Sequence, residues 1–321
     1  MRVHDIDVAK GIGIILIIGL HTGFHQPWLV QFEMPLFFLL SGIFFSTKSS
    51  FFDFIIKRIN TLLIPYLFFE TPAVLYNFAF FLTHSNITIE EAFLQSSIPT
   101  TTWFLLALFE GQILAYFMLR FCKKIAYRIL CALIIIYAGY LWHIMNIPNY
   151  AYIGSACSLT GYLILGSIFK TYLLKSFKSS TNALLGLAGL TLCFICYNLH
   201  PIEVFYRDNI IGQNFFYAVA SALSGAIGIL FIAKLIGHNK ILEYYGRNSL
   251  IILGTHLYFI VGLNRLIPIT ISESAIAFLT TVIVVIPIIH LLRKYLPWLC
   301  GAKPLLSFNI KTAKTATLIN S

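Results

Sequence analysis

Ten apolar runs, each near the length that crosses a bilayer, leave this chain few ways to fold. They lie at about 8–24, 32–47, 61–82, 102–119, 125–142, 150–169, 182–198, 215–236, 249–267 and 275–292. Only 11% of the 321 residues are charged and 59% are hydrophobic, which is far too apolar for a soluble domain of this size. The chain reads as an all-α integral membrane protein with about ten transmembrane helices.

The positive charges test that count, because cytoplasmic loops hold the excess of Lys and Arg. With the N-terminus inside, 20 of the 22 basic residues fall at cytoplasmic ends, leaving only Arg207 and Arg265 outside. One span more or fewer would scramble the alternation, so both termini are expected in the cytoplasm of a multi-pass protein of the cell (inner or plasma) membrane. The formal charge of +10 is then a product of topology, and no nucleic-acid partner is implied.

No Pro-, Gly- or Ser-rich linker and no clear repeat divides the chain. Residues 1–302 form one expected membrane domain and 303–321 a short basic cytoplasmic tail, so any chemistry must come from helices and short loops. The first apolar run lacks a small-residue cleavage site and is read as a retained helix. The chain's six cysteines suggest no disulfide framework, and Cys193 with Cys196 reads as a pair of small buried hydrophobes. The segment SFFDFIIKRIN sets Phe51, Phe52, Ile55 and Ile59 opposite Asp53, Lys57 and Asn60, as in an amphipathic helix on the cytoplasmic surface, the other reading being the frayed start of the third span. In SALSGAIG, from Ser221 to Gly228, small residues would let two helices approach closely. The longest external loops, about 83–101 and 199–214, hold His84, Glu90, Glu91, His200, Glu203, Arg207 and Asp208 and are polar enough to meet a hydrophilic substrate.

Ionisable groups inside a membrane are costly and need partners or a task. Lys10, His21, Glu33, Glu70, Asn77, Glu110, Gln112, His256, Asn264 and His290 are the groups in question. Lys10 and His21 share one face of the first run, eleven residues or roughly 16 Å apart along a helix axis. Asp7, one turn before Lys10, is a possible charge partner and orienting group. His256 lies nine residues after Arg247, about 13 Å deeper, and makes a second mid-membrane histidine. Glu70 and Glu110 are the next candidates as partners, Glu70 as a structural group and Glu110 as either a structural or a cavity group.

Five blocks in order resemble the acyltransferase family 3 membrane proteins, which O-acylate cell-surface sugars. DIDVAKGIGIILIIGLH is similar to the family's D-x-x-R-x10-H opening, and MPLFFLLSGIFF to its aromatic run ending in Ser-Gly-Phe. KRINTLLIPYLFF resembles the basic segment leading to Leu-x-Pro-Tyr, TTWFLLALF the Trp-Phe-Leu block, and LEYYGRNSLIILGTHLYF the late Gly-x-x-Ser segment followed by His. The likeness covers essentially the whole chain and includes openings like those of sugar 4-O-acetylases.

The resemblance implies that His21 is the catalytic histidine and that Lys10 stands where the motif has arginine. Lys makes a point-charge contact where Arg would make a planar bidentate one. The resemblance further implies acyl-CoA, most often acetyl-CoA, as donor, a hydroxyl of a surface or lipid-linked glycan as acceptor, and no metal. Catalytic roles are expected of His21, Lys10 and Asp7, and substrate or donor contacts of Arg58, Ser41, Trp103, Glu110, His256 and Ser249. His21 would act as base or as transient acyl carrier. The alternative is a polytopic transporter or flippase for a sugar-containing solute, although no broken helices or inverted repeat support it.

Overall fold

The computed structural model describes residues 3–84, 87–96, 102–175, 177–201, 203–266, 274–300 and 303–306. Fourteen α-helices follow one another among them: α1 (His4–Thr22), α2 (Val30–Ile43), α3 (Phe51–Arg58), α4 (Ile64–His84), α5 (Ile89–Ser96), α6 (Trp103–Phe121), α7 (Ile125–Ile144), α8 (Ile153–Ile168), α9 (Lys170–Leu174), α10 (Ser179–Leu199), α11 (Phe215–Ile236), α12 (Lys240–Arg247), α13 (Ser249–Leu266) and α14 (Ser274–Tyr295). The described strands are the short antiparallel pair β1 (Val204–Phe205) and β2 (Ile210–Ile211). All ten apolar runs coincide with helices. Seven of the described helices are long and apolar enough to cross a membrane, α3 and α4 counting as one continuous rod of 34 residues.

The three remaining runs, α1, α2 and α13, differ from those seven for a reason bearing on function. α1 carries Asp5, Asp7 and Lys10, while α2 and α13 are shorter. In α2, 11 of 14 residues are buried, and in α8, 13 of 16, whereas in α7, α10 and α14 only 22% of the apolar window is buried. A helix apolar all round belongs in a core or against lipid. Here α1, α2 and α8 take the centre, and α7, α10 and α14 the outside.

Two reciprocal glycine pairs set the central spacing. A Cβ added to Gly42 of α2 would lie 2.8 Å from the Leu163 carbonyl carbon of α8, and one added to Gly166 of α8 would lie 3.0 Å from that of Leu39. The second pair joins α1 to α12: Gly11 faces the backbone of Leu242 and Gly246 that of Asp7. Such contacts bring backbones together in the way small residues do in lipid. The expected close approach at Ser221–Gly228 is present as well, Gly228 packing on Gly189 of α10.

The segment expected as a separate surface helix is instead the start of the third rod. Ser50 Oγ accepts the Asp53 amide at 3.1 Å to cap α3, which then runs through one π-helical stretch, Ile59–Leu63, into α4. Its buried contact is Phe54, packed on Tyr116 at 4.6 Å between ring centroids, while Phe51 and Phe52 are exposed. π-Bulges recur at functional sites, and this one sets Thr61 and Leu62 into a cavity wall. Beside it, Asn60 binds the backbone of Leu305 and Leu306 through three hydrogen bonds of 2.8–2.9 Å. The beginning of the expected tail is thus docked, and residues 307–321 lie outside the described ones.

Candidate functional site

α1 runs past two chambers. The first, about 270 Å³, is lined by Lys10, Ile14 and Ile17 of α1, with Arg58, Ser41, Thr61, Gln112 and Ser249 supplying further polar groups. Arg58 is steered by its aromatic neighbours, its guanidinium lying 5.0 Å from the Phe54 ring centroid and 5.8 Å from that of Phe45. Its Nε and the buried Oε1 of Gln112 have no hydrogen-bond partner among the described residues. Two cations, three hydroxyls and an amide therefore surround a space whose other walls are aliphatic and aromatic.

The second chamber is larger, about 760 Å³, and holds His21, His25, Glu33, Trp103 and His256 under a cover of residues 203–208. His21 is exposed and lines this chamber. His256 is fully buried and its ring centroid lies 5.1 Å from that of His21. The Nδ1 of His256 meets the carbonyls of Ile252 at 2.8 Å and Leu253 at 3.0 Å. Carbonyls only accept, so Nδ1 carries the proton and Nε2 is left as a lone-pair acceptor; it has no partner among the described residues. Glu33 Oε1 is likewise buried and unpartnered there. In the turn after α1, burial pushes the His25 imidazole below its ordinary value.

Ile17, Met34, Phe104 and Leu253 line both chambers. One apolar layer therefore separates the Lys10 side from the His21 side.

The cover is built rigidly. Its hairpin is anchored by Tyr206 Oη donating to the Gln31 carbonyl at 3.0 Å, Asn209 Nδ2 donating to the Gly139 carbonyl at 3.0 Å and Ser158 Oγ donating to Asn209 Oδ1 at 2.6 Å. Asn209 sits at φ 57°, a left-handed conformation that Asn tolerates better than most residues. Arg207 and Asp208 pair with each other at 3.1 Å at the chamber edge.

The profile of the acyltransferase domain that defines acyltransferase family 3 matches residues 3–291. The chain belongs to this family. No curated protein and no solved structure matches it. A membrane acyltransferase is thereby the general reading, which favours group transfer over solute transport.

Within this acyltransferase the expected residues divide between the chambers. Lys10, Arg58, Ser41 and Ser249 come together in the first, and His21, Trp103 and His256 in the second. Trp103 is a wall residue there, in ring contact with Phe104 and Tyr152. Asp7 lies in neither wall: its Oδ2 accepts from Arg247 Nε at 3.1 Å, while its charge also acts on Lys10. Glu110 also lines neither chamber. Glu70 proves structural, its buried Oε2 accepting the Thr102 amide at 3.0 Å and the Thr102 hydroxyl at 2.7 Å at the start of α6. His290 is exposed on α14. From the sequence Glu33 and Gln112 stand out only as polar groups in apolar runs, and His25 and Thr61 do not stand out at all. An apolar segment interrupted by an unpaired polar residue was the available signal for the first two, but it does not say which cavity they face.

Proposed function

We propose that the protein is a membrane O-acetyltransferase that moves acetyl from acetyl-CoA to a hydroxyl of a cell-surface or lipid-linked glycan. The observation that carries this reading is the pair of chambers along one helix, with the cations of Lys10 and Arg58 in one, His21 in the other, and a single apolar layer between them. With ten spans and both termini inside, the Lys10 end faces the cytoplasm, where the anionic donor is found, and the loop 203–208 faces outward.

The first chamber is at the lower limit of ligand pockets, which run about 300–1,000 Å³. It suits the thioester end of the donor, with the nucleotide outside near the basic residues of that membrane face. The amides of the donor's arm match Gln112 Oε1 and the hydroxyls of Ser41, Thr61 and Ser249. The acceptor sugar enters under Arg207 and Asp208, and Glu33 Oε1 accepts one of its hydroxyl protons.

His21 then takes the proton of the attacking hydroxyl as that oxygen adds to the thioester carbonyl carbon. The tetrahedral adduct collapses, the C–S bond breaks, and the proton held on His21 goes to the departing thiolate. His256 offers an acceptor-only Nε2 at the back of this site, which orients the His21 ring or the incoming hydroxyl. Holding both reactants in adjoining chambers supplies the proximity that such a bimolecular step needs.

The test is transfer of labelled acetyl from acetyl-CoA to envelope glycan by purified protein. His21→Ala is expected to abolish product while leaving donor binding intact. Normal acetylation by that variant removes His21 from the mechanism, and movement of an unmodified solute without acetylation favours transport.

A further inference from the structure

Outside both chambers, at the start of α1, lies a cluster that the acyl-transfer reading does not use. The Nδ1 atoms of His4 and His238 both converge on Oε1 of Glu243, His4 at 3.0 Å and His238 closer. The three side chains come from three places: the first turn of α1, the loop before α12, and α12 itself. Glu243 has no exposed side-chain surface, whereas the two imidazoles are about half exposed at 52% and 57%. Their rings stand edge to face, 5.0 Å apart between centroids. The other carboxylate oxygen, Oε2, is held by Arg247, whose Nε also binds Asp7.

We propose that His4, His238 and Glu243 bind one divalent transition-metal ion of the zinc type, which clamps the first turn of α1 to α12.

Two imidazole nitrogens directed at one carboxylate oxygen are met either by a proton on each Nδ1 or by one cation shared among the three atoms; three ligand atoms converging from three separate segments on one point fit the shared ion. A carboxylate that ligates through one oxygen and is fixed by a guanidinium through the other is the usual arrangement around a metal.

The donor set, two nitrogens and one oxygen, suits zinc, and the exposed side leaves a fourth position for water. Zinc–ligand bonds of about 2.0–2.2 Å place tetrahedral ligands about 3.4 Å apart. The three ligand atoms already lie within 4.8 Å of one another. Both Nδ1 atoms lie nearer than this to Oε1, and rotation of the two half-exposed imidazoles moves them outward to make room for the ion. The family resemblance implied no metal, and this one is structural: it touches neither chamber and fixes the end of the helix that carries Lys10 and His21.

The experiment uses tag-free full-length protein in detergent, stripped with chelator, dialysed against Zn2+ and analysed for bound metal. The expected result is one Zn2+ per chain, at least about tenfold weaker binding in His4→Ala and in His238→Ala, and none in the double variant. Zn2+ should raise the Tm of the wild type and not that of the double variant. Co2+ should give the ligand-field absorption of a tetrahedral site in the wild type only. Full occupancy in the double variant, or a folded wild type that binds no Zn2+, overturns the proposal. None of these readouts depends on acyl transfer, so the metal site and the acetyltransferase reading can fail separately.

Discussion

Replacing Gly246 by Ala tests whether the seat of α1 on α12 controls both stability and catalysis. The added methyl would lie 2.8 Å from the Asp7 carbonyl carbon and 2.9 Å from the Gly11 amide nitrogen, and its other near neighbour is the Asp7 oxygen. Non-bonded carbon contacts settle at about 3.5–4.0 Å, so the two helices must part by about 1 Å. Backbone atoms on both sides cannot rotate away as a side chain would. Overpacking of this kind costs about 1–3 kcal/mol. The displacement falls on the helix that carries Lys10 and His21, and about 1 Å of misplacement at reacting groups can cost 10²-fold in rate. The same substitution at Gly262, in α13, meets nothing within 4 Å. It should be neutral or stabilising, since Ala is favoured over Gly in a helix by about 0.5–1 kcal/mol. Thermal unfolding followed by tryptophan fluorescence in detergent should therefore move in opposite directions for the two variants, and acetyl transfer should fall only in Gly246→Ala. Equal Tm values for Gly246→Ala and wild type would refute the idea that glycine is needed for this approach.

Met34→Trp fills the layer between the chambers, so turnover should fall by about 10² or more while equilibrium dialysis still detects bound acetyl-CoA; unchanged turnover argues against passage through this layer. Arg207→Ala should raise the KM for the glycan on the order of tenfold, about 1.4 kcal/mol, and leave the KM for donor unchanged in steady-state assays. Asn60→Ala removes three hydrogen bonds to Leu305 and Leu306 and should destabilise that docking by about 1–3 kcal/mol, read as faster limited proteolysis near residue 305. Lys10→Arg keeps the charge and adds bidentate contact; it should retain donor binding, whereas Lys10→Ala should weaken it in the same dialysis assay.

Much of the architecture was legible before any coordinates, because apolar length and loop charge act locally and each run of residues reports its own burial. The spacing from Lys10 to His21 was readable in the same way, since helix geometry converts eleven residues into a distance. The partners of the polar groups were not. Asp7, one turn from Lys10, acts on it through its charge as expected, but its hydrogen bond to Arg247, 240 positions away, was not readable. Glu70, taken as structural, is so because Thr102 happens to begin α6 beside it. The amphipathic pattern at 51–60 set Phe51 and Phe52 on an apolar face, where the structure leaves them exposed, but gave no sign that Phe54 is the buried residue, because its partner Tyr116 comes from α6.

By itself the sequence determined that this chain enters a membrane as a bundle of helices, and which residues would be costly there. That follows from transfer free energies, which depend on composition and length. Only the tertiary structure decided that five of those costly residues, Lys10, Gln112, His21, Glu33 and His256, divide between two chambers with a four-residue layer between them, and that the loop 203–208 closes one of them. The division depends on which helix faces which, and that is set by the glycine contacts of α1 with α12 and of α2 with α8, where backbones more than a hundred residues apart come within van der Waals reach.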